Sequence, residues 1–187
     1  MKRISLFTFC LVLVSAAAAL SQETAPPTDA PDGQMQDPGA AMGSVMPLFE
    51  IVKSYIIAAA EQMPEEHYAY RPTPEVRTFG EIVGHVAMSQ YWFCNGAMGE
   101  GQEPENYEAV TVKAEMVEAI KKAFDYCEEA YAMGDAWGLE KVELWGETNT
   151  RLWVLSFNMA HAWEHYGNLV TYMRENGLVP PSSQGGM

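Results

Sequence analysis

Between Ser44 and Pro64 the apolar residues Val45, Phe49, Val52, Ile56, Ala59 and Met63 recur at alternating steps of four and three. On a helix that spacing gathers them into one stripe, which must be buried against a partner. Pro64 closes this helix. After a polar connection, Thr78-Phe79-Gly80-Glu81 forms a capping box, in which the Thr78 hydroxyl and the Glu81 carboxylate satisfy free amides at a helix start. The second helix then runs to about Met98. Thr111 can cap a third, with an apolar face of Val112, Met116, Ala119, Ala123, Cys127 and Ala130, and Gly134 ends it. A fourth starts near Asn149 or Thr150 and continues to Asn176, where Gly177 supplies a left-handed stop and Pro180-Pro181 prevent resumption. Residues 134–149 read as an ordered connection pinned by Trp137 and Trp145. Four long helices and no convincing strand predict an all-α four-helix bundle.

The remaining chain sets the domain limits. Lys2 and Arg3 precede an apolar run from Ile4 to Val14 and small residues up to Ser21, the layout of a secretory signal peptide over residues 1–21. That run falls short of the about 20 residues of a membrane span, and no later segment suggests one. Cys10 follows Phe9 rather than small residues, which speaks against lipid attachment. Residues 22–43 carry four prolines and little to bury, so they read as a disordered spacer. The bundle is expected over 44–181 and a flexible tail over 182–187. Loss of residues 1–21 takes the formal charge from −14 to −16. So acidic a surface repels phosphate backbones and argues against a nucleic-acid partner.

The fourth helix carries His161-Ala162-Trp163-Glu164-His165. Imidazoles four apart are separated by about 6 Å of rise and about 40° of rotation, so both can reach one ion. Asn158, Asn168 and Tyr172 lie within about 60° of His161 on the same stripe. The competing interpretation is a pair of ordinary partly buried histidines, satisfied by Asn158 or a water. A third candidate ligand is His85, flanked by Ile82, Val86, Ser89 and Trp92 on the interior of the second helix; His67, in the polar connection, is expected to be exposed. Three imidazoles without a fourth protein ligand are the arrangement of a catalytic metal site, open to water or substrate. Zinc, nickel, iron and copper all suit imidazole. The pattern also matches the H-x-x-E-H of inverted zinc proteases. Those enzymes take an acidic ligand far downstream, whereas 22 residues follow His165 and their sole carboxylate, Glu175, is about 15 Å further along the same helix. Glu81, four residues before His85, is a candidate for orienting that imidazole, but its cap role explains it equally well.

Two segments, MPEEHYAYRPTPEVRTFGEIVGHVAMSQYW and HAWEHYGNLVTYMRENGLVPP, resemble the DinB-like family of bacterial four-helix metal proteins. The resemblance rests on the R-P-x-x-E-x-R-[ST]-[FL]-G approach to the first histidine, and on the late H-x-x-x-H followed by Gly, a Tyr-x-Arg turn and Gly-x-x-Pro-Pro. It implies a divalent metal, usually zinc or nickel, on His85, His161 and His165, in a bundle with a long crossover connection. Relatives include thiol transferases acting on low-molecular-weight thiols. The frequent H-R-G-Q ending is here His165-Tyr166-Gly167-Asn168, without the arginine that would contact an anion.

In that topology the second and third helices run parallel, and Cys94 and Cys127 each lie 16 residues beyond a capping threonine, at equal height. Cys94 is nine residues from His85, however, which turns it to the opposite face and disfavours a disulfide. The functional expectation is an exported, periplasmic or secreted, metalloenzyme that activates water or a thiol, as a hydrolase or thiol transferase. Its partners are expected to be an unidentified small molecule and a second copy in a homodimer. Asn158, Asn168 and Tyr172 are candidates for orienting substrate, and Glu164 or Glu81 for moving protons. The alternative is a non-enzymatic bundle that binds metal or a small ligand.

Overall fold

The computed structural model describes residues 39–100 and 105–185. The signal peptide, the spacer up to residue 38 and residues 186–187 of the tail lie outside the described residues.

Helix α1 spans Gly39–Gln62, five residues longer at its start than its apolar stripe indicated. The extra turn has a remote cap: the Asp135 carboxylate accepts from the amides of Met42 at 2.8 Å and Ala41 at 3.2 Å. Met42 is fully buried, with its sulfur 2.8 Å from where a Cβ on Gly138 would stand. Residues 39–43 of the expected spacer therefore belong to the bundle, through contacts made 93 and 94 residues away in sequence. Although α1 is long and apolar enough to cross a membrane, Phe49, Val52, Ile56 and Ala59 along it are fully buried in the core. Lys53, on the same helix, pairs with Asp125 and Glu128.

Helix α2 spans Phe79–Met98 and begins with the expected capping box: Glu81 N–H donates to the Thr78 hydroxyl at 3.2 Å, and Thr78 N–H to the Glu81 carboxylate at 2.6 Å. Gly99, at φ 80°, ends it. Helix α3 spans Lys113–Tyr131 and starts two residues after Thr111, with Val112 at the cap position and no side-chain cap. Val112 is exposed, while Met116, Ala119, Ala123, Cys127 and Ala130 are buried as expected. The helix stops at Tyr131, and Gly134 instead leads, at φ −84°, into the single-turn helix α4, Asp135–Gly138.

The connection to the last helix contains strand after all. Lys141–Leu144 (β1) pairs antiparallel with Glu147–Thr150 (β2), Lys141 opposite Thr150 and Leu144 opposite Glu147. Trp145 and Gly146 form the two-residue turn, both at positive φ (56° and 76°), as tight hairpins require. Leu144 is the buried anchor; Trp145 is 57% exposed rather than a buried pin, and Trp137 lies under the Arg151 guanidinium at 4.7 Å. Helix α5 spans Arg151–Glu175, with the Thr150 hydroxyl accepting from Trp153 N–H and Gly177 at φ 75° beyond its end. Residues 182–183 belong to a short turn, Pro181–Ser183, in which Ser182 N–H donates to the Tyr166 hydroxyl, so the start of the expected tail is tied to α5.

The four long helices close a ring in which α2 lies between α3 and α5, and α1 completes the opposite corner. Cross-helix contacts fix the directions. Gly84 abuts the segment before α3 while Cys94 meets Cys127 late in α3, so α2 and α3 run parallel and the chain between them crosses back along the bundle. Against α5 the order reverses, with His85 meeting His161 and the Ala97 carbonyl meeting Arg151.

Cys94 and Cys127 form a disulfide, with Cα atoms 5.4 Å apart, contrary to the facing argument. That argument gave α2 a single inward face. Flanked on both sides, α2 buries 13 of its 20 residues, and it presents His85 to α5 while presenting Cys94 to α3.

Candidate metal centre

α2 and α5 bring three imidazoles to one point. His85 Nε2 lies 3.2 Å from His161 Nε2, which lies 3.0 Å from His165 Nε2. One ligand nitrogen from each histidine falls within 4.8 Å of the others. His161 and His165 meet because they are one turn apart on α5, and His85 meets them because α2 crosses in the opposite direction. The fourth histidine, His67, is half-buried in the connection to α2 and stands apart from the cluster.

The protonation of these rings decides what can sit among them. His85 Nδ1 donates a hydrogen bond to Glu108 Oε1 at 2.8 Å, which orients the ring so that Nε2 faces the other two histidines. Burial, and next the neighbouring imidazoles, hold His161 at a pKa of about 4; burial, and next His85, do the same for His165. Near neutral pH both rings are therefore uncharged. Ring nitrogens of all three histidines converge within 4.8 Å, and the lone pairs of the two uncharged rings concentrate negative potential there, which a cation relieves. Separations of 3.0 and 3.2 Å are those of two ligands on one ion at bonds of about 2.1 Å and angles of about 90–100°. The donor set thus fits a divalent metal. His161 Nδ1 is buried without a hydrogen-bond partner, and its ring is held by packing, with Phe93 at 5.6 Å.

Glu108 has no signal in the sequence. It comes from the crossover, on a single 3-10 turn at Tyr107–Ala109, 23 residues from His85. That turn lies directly on α2: a Cβ on Gly84 would stand 2.5 Å from the Tyr107 carbonyl oxygen. Glycine before His85 is what admits the crossover. The same carboxylate pairs with Arg77 at 3.3 Å. Glu81 is spent on the capping box, where the Thr78 amide holds its carboxyl below the ordinary range, and it makes no bond to His85.

Beside His165 opens a cavity of about 620 Å³, whose wall includes Arg77, Glu164, Asn168 and Tyr172. Asn168 Nδ2 stands 3.4 Å from His165 Nδ1. Tyr172 donates to the Arg77 carbonyl at 2.8 Å, so its hydroxyl fixes the backbone beneath that guanidinium. Arg77 supplies a cation from the approach to α2, where Tyr166-Gly167-Asn168 directly after His165 offers none. Asn158, the other expected substrate contact, is not in this wall. It is fully buried one turn before His161, donating to Gln90 Oε1 at 2.8 Å and lying 3.6 and 3.7 Å from the disulfide sulfurs. The bundle interior, rather than the cavity, receives that part of the α5 stripe. On the other side of the cluster, His161 borders a second cavity of about 510 Å³, walled by aromatic rings, of which the sequence singled out Trp92 and Trp145 for other roles.

Known proteins agree with this architecture. The structure is similar to a DinB-like protein of Bacillus cereus ATCC 10987, at 16% identity and TM-score 0.65, covering 79% of this chain and 95% of that one. A DinB-like protein of Bacillus subtilis gives 20% identity and TM-score 0.60, with coverage of 77% and 99%. A putative member of the DinB family from Exiguobacterium sibiricum 255-15 gives 16% and 0.59, with coverage of 74% and 93%. No curated protein matches the chain. The sequence profile of the DinB superfamily matches residues 48–169, a span that holds all three clustered histidines together with Glu108, and the chain belongs to that superfamily.

Proposed function

We propose that this protein is an exported metal-dependent enzyme acting on a small molecule, as a hydrolase or a thiol transferase. The observation that carries the proposal is the convergence of three imidazole nitrogens, with His165 in the wall of an open cavity. His85, His161 and His165 would hold zinc or nickel. When bound, such an ion supplies Lewis acidity, which lowers the pKa of a water or thiol and yields a nucleophile near neutral pH.

The chain's own residues have separable parts in this scheme. Glu108 accepts the Nδ1 proton of His85 and so directs the Nε2 lone pair into the cluster. Arg77 offers positive charge in the cavity wall to an anionic portion of the substrate, and Asn168 offers an amide beside His165. Glu164, in the same wall, is the carboxylate we assign to take a proton from the incoming nucleophile. Export is supported by the signal-like residues 1–21 and by the buried Cys94–Cys127 disulfide, which persists in oxidising compartments.

One observation favours the non-enzymatic alternative. Among the described residues, the carboxylate hydrogen-bonded to the cluster is that of Glu108, which orients a ligand and is not free to act as a base. Turnover separates the two. Protein stripped by a chelator and reconstituted with zinc or nickel is assayed for ester and amide hydrolysis and for joining a low-molecular-weight thiol to an electrophile. The enzymatic reading expects activity that returns with metal and is absent from His85→Ala. Metal bound at one equivalent with no turnover in either assay would favour the binding protein.

A further inference from the structure

The cavity bordered by His161 differs in kind from the one beside His165. Its wall is formed by Trp92, Phe93, Trp145 and Phe157, with Ser89 and His161 as its polar members, and it contains no charged side chain. We infer that this cavity is a binding subsite for a flat, uncharged apolar group, an aromatic ring or a fused pair of rings, carried by a small molecule. This rests on the reading of the histidine cluster as a small-molecule site.

Three features support that occupant. The volume of about 510 Å³ is that of a small-ligand pocket. The rings are already ordered as a receptor: Trp145 stacks on Trp92 at 5.3 Å and 28°, and meets Phe157 edge-on at 5.2 Å and Phe93 at 5.9 Å. The wall is thus pre-assembled by ring-on-ring packing, stacked and edge-on, the two geometries by which aromatic groups associate. Trp145 also holds a backbone conformation, φ 56°, that bulky residues rarely adopt, and it remains 57% exposed while doing so. The hairpin thereby keeps a large apolar ring at the mouth of the cavity, continuous with Trp153 and Phe157, which are 41% and 39% exposed. Exposed apolar surface gathered in one place marks a binding site. Because His161 is part of the wall, a group seated there adjoins the histidine cluster.

The neutral fluorescent amine N-phenyl-1-naphthylamine, titrated into the purified protein, tests the inference. Wild type should bind it saturably at one equivalent. Trp145→Ala and Phe157→Ala, both at exposed positions, should each weaken binding by about tenfold. Leu139→Ala, an exposed apolar position away from the cavity, should leave it unchanged. Metal content of every variant is measured in parallel and should not move. No saturable binding by wild type, or equal affinity in wild type and both aromatic variants, would overturn the inference. So would sedimentation showing a wild-type dimer that Trp145→Ala dissociates while the probe fails to bind, because the rings would then be covered by a second copy. Saturable, Trp145-dependent binding by a protein that holds no metal would retain the subsite and remove the metal reading instead.

Discussion

Glu108 joins His85 to Arg77 through one carboxylate, at 2.8 and 3.3 Å. Removing it frees the Nδ1 proton and lets the ring turn, so Glu108→Ala should weaken metal affinity by about 10- to 100-fold, as loss of such orienting partners does elsewhere. Competition against a chromophoric chelator measures this, with thermal denaturation of the metal-free protein as the control that should barely change. The other two histidines give the protein a pH dependence of defined sign. His161 and His165 titrate near 6.5 when unfolded and near 4 in the fold, chiefly through burial. Between those values the unfolded chain binds more protons, so stability is fully present above pH 6.5 and is lost as pH falls towards 4. Urea denaturation of metal-free protein at a series of pH values should show this loss, and His161→Gln should shrink it. At this scale the ligands were legible because a helix turns their spacing into direction. Glu108 and Arg77 were not recognised as their neighbours, because only the folded crossover brings residue 108 to residue 85.

The crossover segment positions the site from outside the helices. Tyr107 rests on the bare backbone of Gly84, and that contact delivers Glu108 one residue further along. Gly84→Ala sets a Cβ 2.5 Å from a carbonyl oxygen, which must move. The expected result is a lower Tm together with weaker metal binding; a Gly84→Ala protein with wild-type affinity would show that Glu108 is held by other means. The long elements could be read from sequence, since the stripe from Phe49 to Met63 and the Thr78–Glu81 box are local patterns. The start of α1 could not, because its cap is Asp135. The hairpin was missed for a related reason. Strands of four residues, mostly polar, offer too short an alternation, and the Trp145 turn places an aromatic residue where glycine or asparagine usually signals φ > 0.

Across the whole bundle, the disulfide links the two parallel helices on the side of α2 away from the histidines. It closes a loop of 33 residues that contains the crossover and Glu108. Replacing both cysteines by alanine should cost about 2–4 kcal/mol of stability, mainly by freeing the unfolded chain. Because the sulfurs touch Asn158 rather than a ligand, metal stoichiometry of the folded variant should remain that of wild type. The central claim, that three histidines from two helices hold one ion, is tested by elemental analysis of purified wild type beside His85→Ala. One equivalent of a divalent transition metal per wild-type chain, lost in folded His85→Ala, is the predicted result. Equal metal content in the two proteins, or none in wild type after incubation with zinc or nickel, would contradict it.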